Sequence, residues 1–350
     1  MPETRFAYVG CFTTAERKAR GTGIDICRID PVSGAWLLAG HLGGLTNPSF
    51  LITDAAKRFL YSVHGDSDYA SAFAIAEDGS LTALGQAATG GRNGVHPALD
   101  PTGKFMVVAN YGTGSVAVLP VREDGSLGDF SQLLDLPGQL GPHRTEQTIA
   151  HPHHVVFDPS GRFVIVPDKG LDKVFVLRFR DGALALHSDA VMRPGAGPRH
   201  MVFHPSQPFA FVVNELDSSV ATCRWDAETG TLTPVHLASS LPPDFFGAST
   251  AAAIVITPDG KHVYASNRGQ DGIAHFAFDA EPGRLDTIGW TPSEGRDPRF
   301  MTLDPSGRRL YVANEQGDTV LGFDIAKGSG RLIRRGVALA SASPCTIAFR

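Results

Sequence analysis

One phrase recurs along the chain, and it constrains the fold more than any other feature. The copies, the last of them degenerate, are LDPTGKFMVVAN from Leu99, FDPSGRFVIVPD from Phe157, FHPSQPFAFVVN from Phe203, ITPDGKHVYASN from Ile256, LDPSGRRLYVAN from Leu303 and ITDAAKRFLYSVH from Ile52. Each copy combines a short apolar strand, a tight turn rich in Asp, Pro or Gly, and a second strand with alternating apolar side chains. Each copy is therefore predicted to form a β-hairpin.

The spacing of the copies indicates how many strands each repeat contains. The copies end at positions 64, 110, 168, 214, 267 and 314, so consecutive copies are 46 to 58 residues apart. Two more β-rich segments follow each hairpin, as in SVAVLPV and then SQLLDL. Four strands at this spacing are typical of a propeller blade.

The seventh blade is predicted to combine the two ends of the chain. FAYVG, from Phe6, has the pattern of a second strand with no first strand before it, and SPCTIAFR, from Ser343 to Arg350, has the pattern of a first strand with no partner after it. Pairing them would close the ring and remove exposed sheet edges. We therefore predict an all-β, seven-bladed β-propeller, formed by residues 1–350 as a single domain and closed by the C-terminal strand in the N-terminal blade.

Composition excludes several classes of partner. The formal charge is -5, and no stretch gathers Lys and Arg as phosphate-backbone binding requires, so nucleic acid is not expected. The sequence has no apolar run long enough to span a membrane and no secretory signal pattern, so a cytoplasmic protein is expected. The four cysteines lack CxxC spacing, which predicts free buried thiols. A closed ring needs no partner to cover its edges, so a monomer is expected.

Propeller geometry predicts which polar residues meet. The hairpin turns lie on one face, whereas the residues before each first strand and after each second strand lie at the opposite mouth of the central channel, a usual place for a ligand. The residues predicted at this mouth are Asn47, His96, His151, His153, Arg199, Arg299 and Cys345 from first strands, and Cys11, His64, Asp168, Lys169, Asn214, Glu215, Arg268 and Glu315 from second strands. Histidine, arginine and glutamate residues distant in sequence are thus predicted to share one pocket.

The residue types at this mouth suggest acid–base chemistry on an anion. His151 is a candidate general base or substrate ligand, because imidazole titrates near neutral pH. Arg199 and Arg268 suit a carboxylate, a phosphate or a developing oxyanion. Glu215 could form a salt bridge with either arginine, or could itself serve as acid or base.

Two further motifs leave alternatives open. His151 and His153 of the HPHH segment, with His143 nearby, could bind a metal, but no carboxylate stands at ligand spacing, so no metal is predicted. The loop AERKARG, from Ala15 to Gly21, carries Arg17, Lys18 and Arg20 near the same mouth, where it is either solvated or in contact with a phosphate. No nucleophile elbow or Walker-type glycine loop is present, so covalent catalysis is not indicated.

Five segments together resemble one family. GAGPRHMVFHP, VNELDSSV, ITPDGKHVYASNRG, VVANYGTGSV and the HxH before VVFDPSG are similar to signatures of the lactonase family of seven-bladed propellers, which includes 6-phosphogluconolactonases and fungal 3-carboxy-cis,cis-muconate lactonizing enzymes. The resemblance covers nearly the whole chain. It implies that no metal or organic cofactor is needed, and it implies an active site at His151, Arg199, Glu215 and Arg268.

The sequence departs from the family pattern at two places near the predicted mouth. Ala253 stands where many relatives carry Asp or Glu, and His64 and Gly65 stand where an Asn-Glu type pair is commoner. Both places lie where substrate contacts are expected. The particular substrate could therefore differ from those of the named relatives.

The expected function is hydrolysis of 6-phosphogluconolactone or a related sugar lactone. The residues expected to bind the anionic substrate, besides the four catalytic candidates, are His153, His96, Asn214, Asn267 and Arg299. One alternative is a cycloisomerase that closes muconate-type carboxylates to lactones with the same four residues. Another is a non-catalytic propeller that serves as an interaction scaffold, because a fold does not fix a function.

Overall fold

The computed structural model describes residues 5–30 and 33–350, which form β-strands and no helix. In this described part of the chain there is accordingly no helix that could span a membrane. The strands are β1 Arg5–Cys11, β2 Gly23–Ile29, β3 Trp36–Gly43, β4 Pro48–Thr53, β5 Phe59–His64, β6 Tyr69–Ile75, β7 Leu81–Ala88, β8 Gly94–Leu99, β9 Phe105–Asn110, β10 Ser115–Pro120, β11 Gln132–Asp135, β12 Val156–Phe157, β13 Phe163–Asp168, β14 Lys173–Arg180, β15 Ala183–Val191, β16 Pro198–Phe203, β17 Phe209–Asn214, β18 Ser219–Asp226, β19 Thr231–Ser239, β20 Thr250–Ile256, β21 His262–Arg268, β22 Gly272–Asp279, β23 Arg284–Pro292, β24 Pro298–Leu303, β25 Arg309–Asn314, β26 Thr319–Ile325, β27 Leu332–Ala340 and β28 Pro344–Phe349.

The strands form seven antiparallel sheets of four strands each. Blades 2 to 7 each take four consecutive strands, beginning at β4, β8, β12, β16, β20 and β24. Blade 1 has the order β28-β1-β2-β3, so the C-terminal strand pairs with the N-terminal one, from Ala7 opposite Phe349 to Cys11 opposite Pro344. The predicted seven-bladed propeller and its mode of closure are confirmed. We call the four strands of a blade A to D in this order.

The predicted turns between strands A and B owe their shape to one side chain. In blade 3, Asp100 Oδ1 accepts the backbone N–H groups of Lys104 and Phe105 at 2.8 Å, and Oδ2 accepts that of Thr102 at 3.0 Å. In blade 5, His204 replaces the aspartate, and its Nδ1 accepts the N–H of Gln207 at 2.9 Å. The recurring phrase is thus a structural device, because its polar residue satisfies backbone donors that would otherwise be unpaired.

The core lies between the blades. Val107 and Val116 of blade 3, for example, pack with Val164, Val166 and Phe175 of blade 4 in one buried cluster. Each sheet therefore buries apolar side chains against the next sheet around the ring. The A strands of successive blades also contact one another, as β4 does β8 and β16 does β20, so they surround the central channel.

A β-bulge recurs near the start of strand A. The pairing register with strand B shifts between Pro48 and Phe50, and it shifts at the equivalent places in blades 3, 5 and 7. The extra residue at this place is Arg199 in blade 5 and Arg299 in blade 7. Because a bulge re-aims the side chain of its extra residue, it can turn both arginines toward the channel.

Candidate active site

Glu215 forms the centre of a buried charge cluster. It directly follows strand β17 and is 7% exposed. Its Oε2 accepts Arg199 Nε at 2.8 Å and lies 3.1 Å from Arg268 Nη2, and its Oε1 accepts Lys169 Nζ at 2.9 Å. Burial alone would raise the pKa of Glu215, but Arg268, Lys169 and Arg199 outweigh it and hold this pKa well below its usual range. Glu215 is therefore ionised and accepts a proton poorly.

Three members of the cluster come from one equivalent position in the blades, the residue directly after the end of the recurring phrase. The seven residues at this position are Phe12, Gly65, Tyr111, Lys169, Glu215, Arg268 and Glu315. The Arg268 position ends a strand, and the others lie just beyond one. The charged members all come from blades 4 to 7, so the charge is concentrated on one side of the mouth.

Arg199 reaches Glu215 from the bulge of blade 5. Its Nη1 donates to the carbonyl oxygen of Ala252 at 2.6 Å, while Nε is bonded to Glu215. The residue is 2% exposed, and burial lowers the pKa of Arg199 to about 9, which still leaves the guanidinium charged at neutral pH. These bonds fix the guanidinium and leave Nη2 for a ligand. Ala253, one of the two departures from the family pattern, lies one residue beyond Ala252.

The backbone and ring of His151 are both held in place. Its N–H donates to Asp168 Oδ1 at 3.0 Å, and its Nδ1 lies 2.9 Å from the carbonyl oxygen of Tyr111, on whose ring the imidazole stacks. Because a carbonyl oxygen only accepts, Nδ1 carries the proton and Nε2 is the basic nitrogen. Burial lowers the pKa of His151, so the ring is neutral at neutral pH.

The structure places His153 beside the carboxylate of Glu215, and it places His96 deeper in the channel than predicted. His153 Nε2 is 4.0 Å from Glu215 Oε2. His96 instead packs beneath the mouth, its ring centroid 3.9 Å from that of His154 and 4.1 Å from that of Phe50. The bulge explains this correction, because His96 follows the extra residue and so occupies the next layer down the channel.

The structure does not bring Asn214 and Asn267 to the pocket, contrary to their predicted place. Asn267 bonds to Ser240, with Oδ1 accepting the hydroxyl at 2.7 Å and Nδ2 donating to the carbonyl oxygen at 2.9 Å. Asn214 Nδ2 donates to Ser219 Oγ at 2.9 Å. Successive side chains of a strand point to opposite faces, so the last residue of the recurring phrase turns into the blade while the next one turns to the mouth. Both asparagines hold connections between strands.

A small cavity opens beside this cluster. Its lining residues are Phe12, Arg17, Ser49, Phe50, Gly65, Asn93, Val95, His153, Arg199, His200, Arg299, Phe300 and Cys345. The charged residues on this lining are three arginines, and no carboxylate joins them. Arg299 is held by Glu315, whose Oε2 lies 3.3 Å from its Nη1. A cavity lined in this way favours an anionic ligand.

Sequence reasoning missed Tyr111 and Glu146 and gave Lys169 no role. Lys169 Nζ bonds to Glu146 Oε2 at 2.7 Å as well as to Glu215, and it lies 5.4 Å from the ring centre of Tyr111. Burial opposes its charge, but the two carboxylates and Tyr111 raise the pKa of Lys169. Tyr111 could have been found from its position after strand B. The long 58-residue step between positions 110 and 168 marked the insertion that carries Glu146.

The metal alternative for the HPHH segment concerned His151 and His153, with His143 nearby. In residues 5–30 and 33–350 no group of three or more His, Cys, Asp or Glu side chains is arranged to hold a metal ion. His143, the third candidate ligand, accepts the N–H of Glu146 through Nδ1 at 3.2 Å. His143 therefore helps to position Glu146 within its loop.

Fold and cavity together define a class, a closed seven-bladed propeller with an arginine-lined pocket and a buried glutamate at one channel mouth. A family model described as "Lactonase, 7-bladed beta-propeller" matches residues 6–349, so the chain belongs to this family. The predicted family, fold and enzyme class are confirmed.

Individual relatives are similar to this chain along most of its length. A 6-phosphogluconolactonase of Bacillus subtilis is 32% identical, with 93% of this chain and 92% of the relative covered. A 6-phosphogluconolactonase of Pectobacterium carotovorum is 35% identical over 79% of this chain and 80% of the relative. Among solved structures, the periplasmic gluconolactonase of Pseudomonas aeruginosa superimposes with a TM-score of 0.87 at 29% identity, covering 99% of each chain. A protein from Lactobacillus plantarum gives a TM-score of 0.91 at 29% identity, also over 99% of each chain.

Proposed function

We propose that this protein hydrolyses 6-phosphogluconolactone to the open-chain acid. The observation that carries the proposal is the cavity whose charged lining consists of Arg17, Arg199 and Arg299, beside the buried Glu215 and the neutral His153. The relatives named 6-phosphogluconolactonase support the choice of substrate. The four free, buried cysteines support a cytoplasmic location, which we propose together with a monomeric state.

His151 is the proposed general base. Its neutral imidazole has Nε2 available, whereas Glu215 is held ionised by three cations and is a poor proton acceptor. His151 would take one proton from water as the water oxygen attacks the lactone carbonyl carbon. It would return that proton to the ring oxygen when the carbon–oxygen bond breaks, and the acid formed ionises in solution.

Arg199 and Arg268 are the proposed stabilisers of the tetrahedral oxyanion. Glu215 and the carbonyl groups of Ala251 and Ala252 hold both guanidinium groups before substrate arrives. Preorganised donors of this kind stabilise developing charge without reorganising during the reaction. Glu215 thus acts by positioning the two arginines. The proposed substrate-binding residues are His153 and Arg299.

The test is hydrolysis of freshly generated 6-phosphogluconolactone, measured against its spontaneous rate. His151→Asn keeps a donor near the Nδ1 position for the Tyr111 carbonyl and removes the base, so we expect kcat to fall by roughly 100-fold or more. His187→Asn, in the exposed outer strand of the same blade, is the matched control and should keep the wild-type rate. Wild-type activity should rise with pH through a pKa below 6.5, because the neutral imidazole is the active form.

Two outcomes would contradict the proposal. Full activity of His151→Asn would remove this residue from the mechanism. A well-folded wild-type protein that does not accelerate hydrolysis would remove the substrate, and conversion of muconate-type carboxylates to lactones would then identify the cycloisomerase alternative.

A further inference from the structure

The cavity extends away from the charge cluster toward blades 1 and 2, where Phe12, Arg17 and Gly65 line it. The position after strand B is Gly65 in blade 2, whereas blades 3 to 7 have large side chains there. A Cβ built on Gly65 would lie 3.3 Å from Phe12 Cε1, 3.4 Å from Arg17 Nη2 and 3.5 Å from Ser49 Cβ. Glycine at this position therefore avoids pressing on Phe12 and Arg17, and Arg17 borders the open space of the cavity.

Arg17 is held rigidly at the edge of this space. Its Nε and Nη2 donate to the two carboxylate oxygens of Asp66 at 2.6 and 2.8 Å. Its guanidinium carbon lies 4.4 Å from the ring centre of Phe12, and the guanidinium carbon of Arg299 lies 5.0 Å from the same ring. Asp66 thus fixes the side chain in advance and leaves Nη1, which lowers the entropy cost of binding a ligand.

We propose that Arg17 and Arg299, which both contact the Phe12 ring, bind the phosphoryl group of the substrate and make the enzyme selective for a phosphorylated lactone. This inference rests on the proposed function. A phosphoryl group carries a charge of about −1.5 to −2 at neutral pH, and its oxygens match the planar donors of a guanidinium. The lactone ring then lies toward Arg199 and His153, which line the same cavity.

The loop itself supplies a matched control. Arg20 is bonded to Asp318 in the same two-pronged way, with both distances 2.8 Å, but it does not line the cavity. Arg17→Gln and Arg20→Gln therefore each break one arginine–carboxylate pair of the same loop. Only the former removes a proposed phosphate ligand.

The experiment compares kcat/KM for 6-phosphogluconolactone with that for unphosphorylated gluconolactone. We expect Arg17→Gln to lower the ratio of the two values at least tenfold, mainly through KM for the phosphorylated substrate, and Arg20→Gln to leave the ratio within twofold of wild type. Gly65→Val should lower the ratio as well, because its side chain would press on Phe12 and Arg17 at the proposed phosphate site; its thermal unfolding shows whether the fold is kept. An unchanged ratio in Arg17→Gln would overturn the inference.

Binding of the products tests the phosphate site independently of catalysis. Calorimetric titration with 6-phosphogluconate and with gluconate should show tighter binding of the phosphorylated acid to wild type, and Arg17→Gln should abolish the difference. If the protein bound 6-phosphogluconate in this way yet did not accelerate lactone hydrolysis, the phosphate site would stand and the proposed function would fail. Equal affinities of wild type for the two acids would overturn the phosphate site.

Discussion

Asp168, at the end of β13, is a buried carboxyl group that holds the backbone of the candidate base, His151. Its Oδ1 accepts the N–H groups of His151 and Leu171 at 3.0 and 2.9 Å, whereas its Oδ2 is buried without a partner among the described residues. Burial raises the pKa of Asp168 to about 7, although the N–H donors oppose the shift. A carboxyl group in this state holds the His151 backbone and carries a proton at mildly acidic pH.

The raised pKa of Asp168 predicts a stability that falls as pH rises. Between about pH 4 and pH 7 the folded protein keeps a proton that the unfolded chain has already released, so this group lowers the free energy of unfolding by at most about 1.4 kcal/mol per pH unit. Asp168→Asn keeps the Oδ1 acceptor but does not titrate. We expect its free energy of unfolding, measured in urea at pH 5, 6 and 7, to decline less than that of wild type. Exposed Asp181→Asn is the control, and parallel curves for wild type and Asp168→Asn would contradict the assignment.

At the scale of a hairpin, one side chain shapes the turn while the site lies at the other end of the strands. In blade 4, Asp158 Oδ1 accepts the N–H of Phe163 at 2.9 Å, and Oδ2 accepts the N–H and hydroxyl of Ser160 at 3.1 and 2.7 Å. Asp158 is 3% exposed, so water cannot readily replace these bonds. Its strands nevertheless lead to His151 and Lys169 at the opposite face. The turn should therefore govern stability rather than catalysis.

Asp158→Ala is expected to destabilise the protein by about 1 to 3 kcal/mol, because it leaves buried donors unpaired. The free energy of unfolding from denaturant titration gives this value. The kcat for lactone hydrolysis, measured well below the unfolding temperature, should stay within twofold of wild type. Glu281→Ala, in an exposed turn of blade 6, controls for the loss of a turn carboxylate and should change neither quantity. A loss of kcat in Asp158→Ala without a loss of stability would place the turn in the mechanism instead.

At the scale of the whole molecule, the ring is closed by backbone pairing between the chain ends. Strand β28 pairs with β1 and contacts β4 and β24 of the neighbouring blades. Blade 1 is therefore the one blade of the described structure in which strand A is not joined to strand B by the recurring turn. We therefore expect closure to depend on the presence of β28 and not on the order of the chain.

Deletion of residues 343–350 is expected to abolish cooperative unfolding and cause aggregation, because it exposes the edge of β1 and one side of two neighbouring blades. A circular permutant is the matched variant. It joins Arg350 to Arg5 through an Asp-Pro-Ser-Gly turn and opens the chain at the exposed Asp181–Gly182 turn. We expect this permutant to keep wild-type activity and to melt within about 5 °C of wild type. A stable, active deletion variant would show that β28 is dispensable.

The sequence by itself determined the blades, since turns and strands follow from local chemistry. The Asp-Pro-Gly turns bond to their own backbone, and the alternation of apolar residues marks which side of a strand is buried, so repeat spacing was enough to predict seven blades and their closure. The equivalent positions also predicted that His151, Arg199, Glu215, Arg268 and Arg299 meet at one mouth, because residues in register occupy the same place in each blade.

Only the tertiary structure decided which of these residues face the pocket and which proton states they take. Asn267 turns into its blade because side chains alternate along strand B, and His96 lies one layer down because of a one-residue shift in pairing that the hairpin sequence does not reveal. Glu146 reaches Lys169 from an irregular connection with no pattern to place it. Glu215 is ionised because three cations from separate blades surround it, and such a field exists only once the ring has closed.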